Sequence, residues 1–186
     1  IFSHTRPAAK GFLRQIKTEF EVNDDLKAIY PDVLWKDPKN DSPKWSEDEG
    51  IVVKRTSNPK EATVEAWGLV DGQPTGKHFT RLIYDDVVVR ESVTTPDMIQ
   101  KTTTMLELSY NLGADGGERR FIGTRYHYND TYRTILERKT AKPRIYKATA
   151  TGELDGKDGV LLSAKTLAEK RRDMGPYTYA AQILLN

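Results

Sequence analysis

An apolar run that stops abruptly at two adjacent carboxylates is the strongest constraint this chain places on its own fold. Arg81, Leu82, Ile83 and Tyr84 read as a strand, and Asp85 and Asp86 follow without a spacer. A run of this kind buries its side chains in a sheet and leaves the carboxylates at the strand's carboxyl end. That is the rim where open α/β sheets bind ligands. One carboxylate there can hold Mg²⁺, directly or through water, and its neighbour can orient or deprotonate an attacking water. Downstream, Phe121 and Ile122 form a second strand end and run into Gly123, Thr124 and Arg125. A small residue, a hydroxyl and a guanidinium at that place suit a γ-phosphate sensor. Together the two strand ends read as half of a nucleotide-hydrolysis site.

The flanking pattern predicts alternating helices and strands. A helix is expected over Pro7–Phe20, with Pro7 in its first turn and Phe12, Leu13, Ile16 and Phe20 on one face. A shorter helix follows over Asp24–Tyr30, ended by Pro31. Trp35–Gly50 reads as an exposed loop, and Ile51–Val53 and Thr63–Trp67 as short strands. After the carboxylates come an apolar Val87–Val89 run and a helix from Pro96 with Thr95 as its N-cap. A glycine-rich turn is expected over Asn111–Gly117 and a strand over Arg119–Thr124. Asp130 should cap a helix through Arg138, Arg144–Ala150 should be a strand, Gly152–Gly159 a turn-rich connector, and Ala164–Met174 a basic helix. Strands alternating with helices imply an α/β fold with a mainly parallel sheet.

Composition excludes several classes. With 186 residues and no cysteine, the chain can bury a real core but cannot form disulfides or thiolate metal sites. No apolar stretch approaches the length of a membrane span. The formal net charge of +2 hides an asymmetry, because residues 1–118 carry 15 basic and 20 acidic side chains and residues 119–186 carry 14 and 7. A basic second half suits a phosphate-backbone contact and equally suits a solvated lysine- and arginine-rich surface.

The ordered set Thr75-Gly76-Lys77-His78-Phe79, Leu82-Ile83-Tyr84-Asp85-Asp86 and Ile122-Gly123-Thr124-Arg125-Tyr126-His127-Tyr128-Asn129-Asp130 resembles the large terminase subunit of tailed bacteriophages. Gly175-Pro176-Tyr177 with Ala181-Gln182, and the opening Ser3-His4-Thr5-Arg6-Pro7 through Phe12, Ile16, Glu21 and Tyr30-Pro31, are similar to the same family. The resemblance implies a P-loop NTPase sheet of the RecA or terminase type, lacking its upstream Walker A part. Residues 1–150 would then be the later part of an ATPase domain, and residues 151–186 a connector toward a nuclease domain beyond Asn186. It assigns Asp85 to Mg²⁺ and Asp86 to the hydrolytic base. The family commonly has Glu at the second position, so the shorter Asp86 would act as base either directly or through an intervening water. Gly123 and Thr124 would couple γ-phosphate loss to subdomain movement, with Arg125 beside the nucleotide. The implied cofactors are ATP and Mg²⁺. The implied partners are viral double-stranded DNA, a portal protein, a small terminase subunit and further copies in a ring on the procapsid, in the bacterial host's cytoplasm with no membrane.

Each residue also has a plainer reading. Adjacent carboxylates after a strand often serve only a turn or helix cap. Arg125 suits a phosphate or a structural ion pair equally. His127 suits a supporting role better than proton transfer, since phosphoryl transfer depends mostly on positioning and charge stabilisation. His4 and His78 lack partners at metal-binding spacing. Gly72-Gln73-Pro74-Thr75-Gly76-Lys77-His78 mimics a phosphate loop, but its glycine spacing is one residue short and a strand rather than a helix should follow, so it reads as a turn. A helicase-like P-loop motor, a non-catalytic nucleic-acid-binding or assembly module and a metal-dependent nuclease remain the alternatives.

Overall fold

The computed structural model describes residues 1–152 and 160–185. They divide into two units, one of Ile1–Val87 with Thr104–Ile122 and the other of Val88–Thr103 with Gly123–Asn186.

The first unit is an α/β layer built on four parallel strands, β1 (Phe2–Ser3), β4 (Trp67–Gly68), β5 (Phe79–Asp85) and β6 (Gly113–Ile122), ordered β4-β1-β5-β6. The architecture is compatible with Rossmann or P-loop-like folds. Helix α1 (Arg6–Val22) forms where expected, with Pro7 in its first turn. Its Ala9 and Leu13 are fully buried against Ile51 and Ala66, with Ile16, Phe20, Trp45 and Val64 packed around them. The first helical amide, Arg6 N–H, donates to Asp71 Oδ1 at 2.8 Å. Gly68 makes that cap possible, since a Cβ there would sit 1.6 Å from the same carboxylate oxygen. Helix α2 (Asp24–Ile29) is capped by Asn23, whose side chain accepts from Leu26 N–H at 2.9 Å.

Local strand signals were weaker than their residues suggest. The expected Trp35–Gly50 loop holds a one-turn helix α3 (Pro38–Asp41) and a two-residue strand β2 (Trp45–Ser46), paired antiparallel with β3 (Gly50–Ile51). Of the Ile51–Val53 and Thr63–Trp67 runs, Ile51 in β3, an Ile51–Val64 bridge and the Trp67–Gly68 strand are formed. Val52 and Val53 are buried by packing rather than by a ladder. Val87 and Val88 are likewise buried without forming a strand. The Lys77 ammonium sits in an ion pair with Glu65, 2.6 and 2.8 Å from its two oxygens, and 5.2 Å from the Trp67 ring centre. This lysine is held by a carboxylate, the strand β5 follows it directly, and the segment is the expected turn.

Strand β6 corrects the sequence reading. It begins at Gly113, inside the expected glycine turn, after a 3₁₀ turn over Tyr110–Leu112. The pairing slips between Phe79↔Gly113 and Arg81↔Glu118, so the glycine-rich segment forms a bulge within the strand. Gly116 takes φ +69° there, and a Cβ on Gly117 would meet Ala114 O and Thr80 O at 2.9 Å. Beyond the bulge the register is regular to Asp85↔Ile122. The Tyr84 ring stacks on Phe2 of β1 and on Phe121 of β6, with centroids 5.4 and 4.9 Å away. Its hydroxyl lies 2.8 Å from Ser109 Oγ, on the last turn of helix α4 (Pro96–Ser109).

In the second unit, Thr95 Oγ1 accepts from Met98 N–H at 3.2 Å and opens α4 as expected. Asp130 caps helix α5 (Thr131–Glu137), and Ser163 caps helix α6 (Ala164–Asp173). Arg144–Ala150 is not a strand among the described residues: Ile145 and Tyr146 are exposed, and Ala148 makes backbone bonds from its N–H to Ile183 O and from Val160 N–H to its carbonyl. Most of the expected Gly152–Gly159 connector lies outside the described residues. The chain ends in a short helix α7 (Pro176–Tyr179) and a π-helical turn over Ala180–Leu184.

Replacing Tyr84 by Ala removes the ring shared by three strands and is expected to cost about 3–5 kcal/mol of unfolding free energy in urea titrations. Tyr84→Phe should cost only about 1 kcal/mol, since Ser109 Oγ keeps its 2.6 Å bond to Leu106 O. Equal losses for both variants would contradict the stacking account.

Candidate functional site

Strands β1 and β5 are neighbours, with Phe2 opposite Tyr84. The chain leaves β1 through α1 toward β4 on one side and leaves β5 through α4 toward β6 on the other. Adjacent parallel strands whose continuations diverge open a crevice at their carboxyl ends. By that rule the place to look is between Ser3–Thr5 and Asp85–Val87.

Both carboxylates stand at this rim. Asp85 is the last residue of β5 and half-buried, whereas Asp86 is exposed. The Asp86 N–H still donates to Ile122 O at 3.1 Å, but its backbone turns to φ +46°, the left-handed region. Aspartate is among the few non-glycine residues that tolerate this conformation, and it ends the strand in one step. Burial raises the Asp85 carboxyl above the usual aspartate range, and the neighbouring Asp86 charge raises it further. Among the described residues neither carboxylate has an ion-pair or hydrogen-bond partner for its side chain. An uncompensated, partly buried carboxylate beside a second one is a hard-oxygen donor set that a divalent cation would neutralise, so the residues fit Mg²⁺. No group of three or more His, Cys, Asp or Glu side chains converges on a metal-binding point among the described residues. Mg²⁺ here would therefore draw its remaining ligands from water and phosphate oxygens, its usual habit.

One contact at the rim escaped the sequence reading. His4, just past β1, bridges the crevice with its Nδ1 3.1 Å from Val87 O. A carbonyl only accepts, so Nδ1 carries the proton in this contact. The imidazole thus ties the β1 loop to the turn that carries Asp85 and Asp86. Only the strand order reveals it, since His4 and Val87 are far apart in sequence.

The second unit carries Gly123, Thr124, Arg125 and His127. Gly123 lies so close to Tyr132 that a Cβ would meet its hydroxyl oxygen at 1.9 Å and its ring carbon at 2.6 Å. Thr124 is half-buried. Arg125 donates from its guanidinium to Tyr128 O at 2.9 Å, and its Nε–H is buried without a hydrogen-bond partner. The His127 ring accepts from Asn129 N–H at Nδ1, 3.1 Å away, which commits it to the local turn. Asp130 organises this loop. Fully buried, its carboxylate accepts from Tyr126 N–H at 3.1 Å, His127 N–H at 3.4 Å and Arg133 N–H at 3.2 Å. Its sequence signal, an Asn-Asp pair before a helix, marks the cap but not the two loop amides it also holds.

A cavity of about 270 Å³, lined by Phe2, Val64, Trp67, Phe79 and Leu82, opens near the other, amino-terminal ends of the strands. It is distinct from the carboxylate rim. No protein-family model and no curated protein sequence matches this chain.

The Asp85 carboxyl titrates higher in the fold than in the unfolded chain, so its ionised form penalises the fold at neutral pH, and the penalty is lost as pH falls below the unfolded value. Asp85→Asn is therefore expected to raise the urea midpoint at neutral pH, with the gain shrinking to nothing in acid. A midpoint lowered at neutral pH would show instead that Asp85 holds the fold together. For Gly123→Ala, crowding against Tyr132 should cost about 1–3 kcal/mol, partly recovered when Tyr132 is also changed to Ala.

Proposed function

We propose that this chain is the later part of the ATPase domain of a bacteriophage large terminase subunit, with the connector that follows it. The observation that carries the reading is the uncompensated Asp85–Asp86 pair at the carboxyl rim of an all-parallel sheet. In register beside Asp85 lies Ile122, the residue directly before Gly123-Thr124-Arg125. The ordered sequence resemblance to the terminase family adds to it.

In this reading Asp85 supplies an oxygen to Mg²⁺, which when bound neutralises charge on the β- and γ-phosphates. Asp86, held at φ +46°, projects from the strand end and orients the attacking water through an intervening one. In-line attack on the γ-phosphate of ATP then depends on positioning more than on proton transfer. Gly123 and Thr124 follow the β6 strand end, and the Arg125 Nε–H is buried with no hydrogen-bond partner among the described residues. β6 is an edge strand, and its open side is where the reading adds the upstream strand with the phosphate loop. Viral double-stranded DNA, a portal protein, a small terminase subunit and further copies of the chain are the partners, in the cytoplasm of the bacterial host. Among the described residues no helix is long and apolar enough to cross a membrane.

The excess of basic side chains after Glu118 favours a second reading, a nucleic-acid-binding module without chemistry. The two separate on one experiment. A longer protein that includes the upstream phosphate loop is expected to hydrolyse ATP with Mg²⁺ and DNA stimulation, and Asp85→Ala should lower the rate by about a hundredfold or more. The 186 residues alone, which contain no phosphate loop, should be inactive. Hydrolysis indifferent to Asp85 would remove the motor reading. DNA binding lost with the basic residues would then favour the module.

A further inference from the structure

The second unit holds the backbone after Thr124 from two sides. On one side Asp130 takes the Tyr126 and His127 amides. On the other, Gln182 Nε2–H donates to Arg125 O at 3.1 Å, and the Tyr177 hydroxyl donates to Tyr126 O at 3.4 Å. These donors stand on the C-terminal segment, more than fifty positions further along the chain. We infer that Gln182 is a positioning residue, which ties the Gly123–Arg125 stretch to the segment Pro176–Leu184 so that the two move as one piece.

Three features support more than a chance surface contact. The segment is anchored by its own packing, with Tyr179, Ala181 and Leu184 buried and Ile183 O accepting from Ala148 N–H at 3.1 Å. Residues Ala180–Leu184 form a π-helical turn, a wide turn that rotates the following side chains out of α-helical phase and recurs at functional positions. Here it presents Gln182 to the loop while its buried neighbours face inward. Tyr179 is 2 % exposed within this unit. Finally, Arg125 keeps a buried, partnerless Nε–H while its carbonyl is held, so the present arrangement leaves one donor available to a phosphate when the stretch shifts. The two carbonyls that Gln182 and Tyr177 hold are adjacent in sequence. A shift of the Thr124–Tyr126 backbone must therefore carry the C-terminal segment along or break both bonds.

What the stretch senses rests on the proposed function, whereas the tether does not. Two measurements on the full-length protein keep them apart. The first is local hydrogen exchange over Tyr126–Tyr128 in the unsubstituted protein, in Gln182→Met, which keeps length but has no donor, in Tyr177→Phe, and in Gln182→Lys, which restores a donor. Gln182→Met should exchange about five- to tenfold faster there, the loss of one net hydrogen bond, and Gln182→Lys should recover protection. The second is the length of DNA moved per ATP hydrolysed with portal and procapsid. Gln182→Met should shorten it several-fold while ATP is still hydrolysed, and Gln182→Lys should restore it. Unchanged exchange in Gln182→Met overturns the tether. Faster exchange with undiminished DNA movement per ATP overturns its positioning role. Failure of the unsubstituted protein to hydrolyse ATP in an Asp85-dependent way overturns the motor reading and the coupling drawn from it, and leaves exchange alone to decide the tether.

Discussion

The stack of Phe2, Tyr84 and Phe121 fixes the register on which the rest of the first unit depends. Parallel strands shift by sliding, and evenly spaced backbone bonds alone resist sliding weakly. Three aromatic rings at matching positions on β1, β5 and β6 make any slip break large flat contacts at once. The Tyr84 hydroxyl adds a bond to the helix that joins β5 to β6. As a result Ser3, Asp85 and Ile122 end their strands in fixed relation. The crevice geometry follows from that, because His4 can reach Val87 O only if β1 stops where it does.

The rim is a place where the fold gives up stability. Asp85 is partly buried without a partner, and Asp86 occupies a backbone region that most residues avoid. Both features cost free energy that a turn of Asn and Gly would not. The second unit shows the same pattern, where Gly123 accepts close approach to Tyr132 and Arg125 leaves a buried donor unmet. Asp130 offsets part of this by holding two loop amides with a carboxylate that also caps α5.

Much of this was legible in the sequence because the signals were local. Pro7, Thr95, Asp130 and Ser163 stand at helix starts for reasons contained within a turn of chain, and the Leu82–Tyr84 run needed only its own apolarity to be a strand. Reading failed where long-range packing decided. Ile145 and Tyr146 are β-favouring residues, yet both are exposed and lie in no strand among the described residues. Val52, expected in a strand, is buried but lies just beyond the β3 ladder. The glycines of the expected Asn111–Gly117 turn lie instead in strand β6, where they form a bulge that depends on how β5 lies alongside. The site divides in the same way. Asp85 and Asp86 announced themselves, while His4 and Gln182 matter through partners more than fifty residues away and carry no local signal.

The edges of the sheet are unequal. β4 is two residues long, too short to serve as a template for another strand. β6 runs regularly from Glu118 to Ile122 beyond its bulge, and the Ile122 side chain is 55 % exposed at its end. An edge strand turns one row of backbone donors and acceptors outward, ready for any extended segment that arrives. Glu118, Arg119 and Arg120 place both signs of charge along it, which discourages identical copies from stacking less firmly than a run of one sign would. When no other strand covers that edge, it is the side of the sheet open to pairing with a second copy at high concentration.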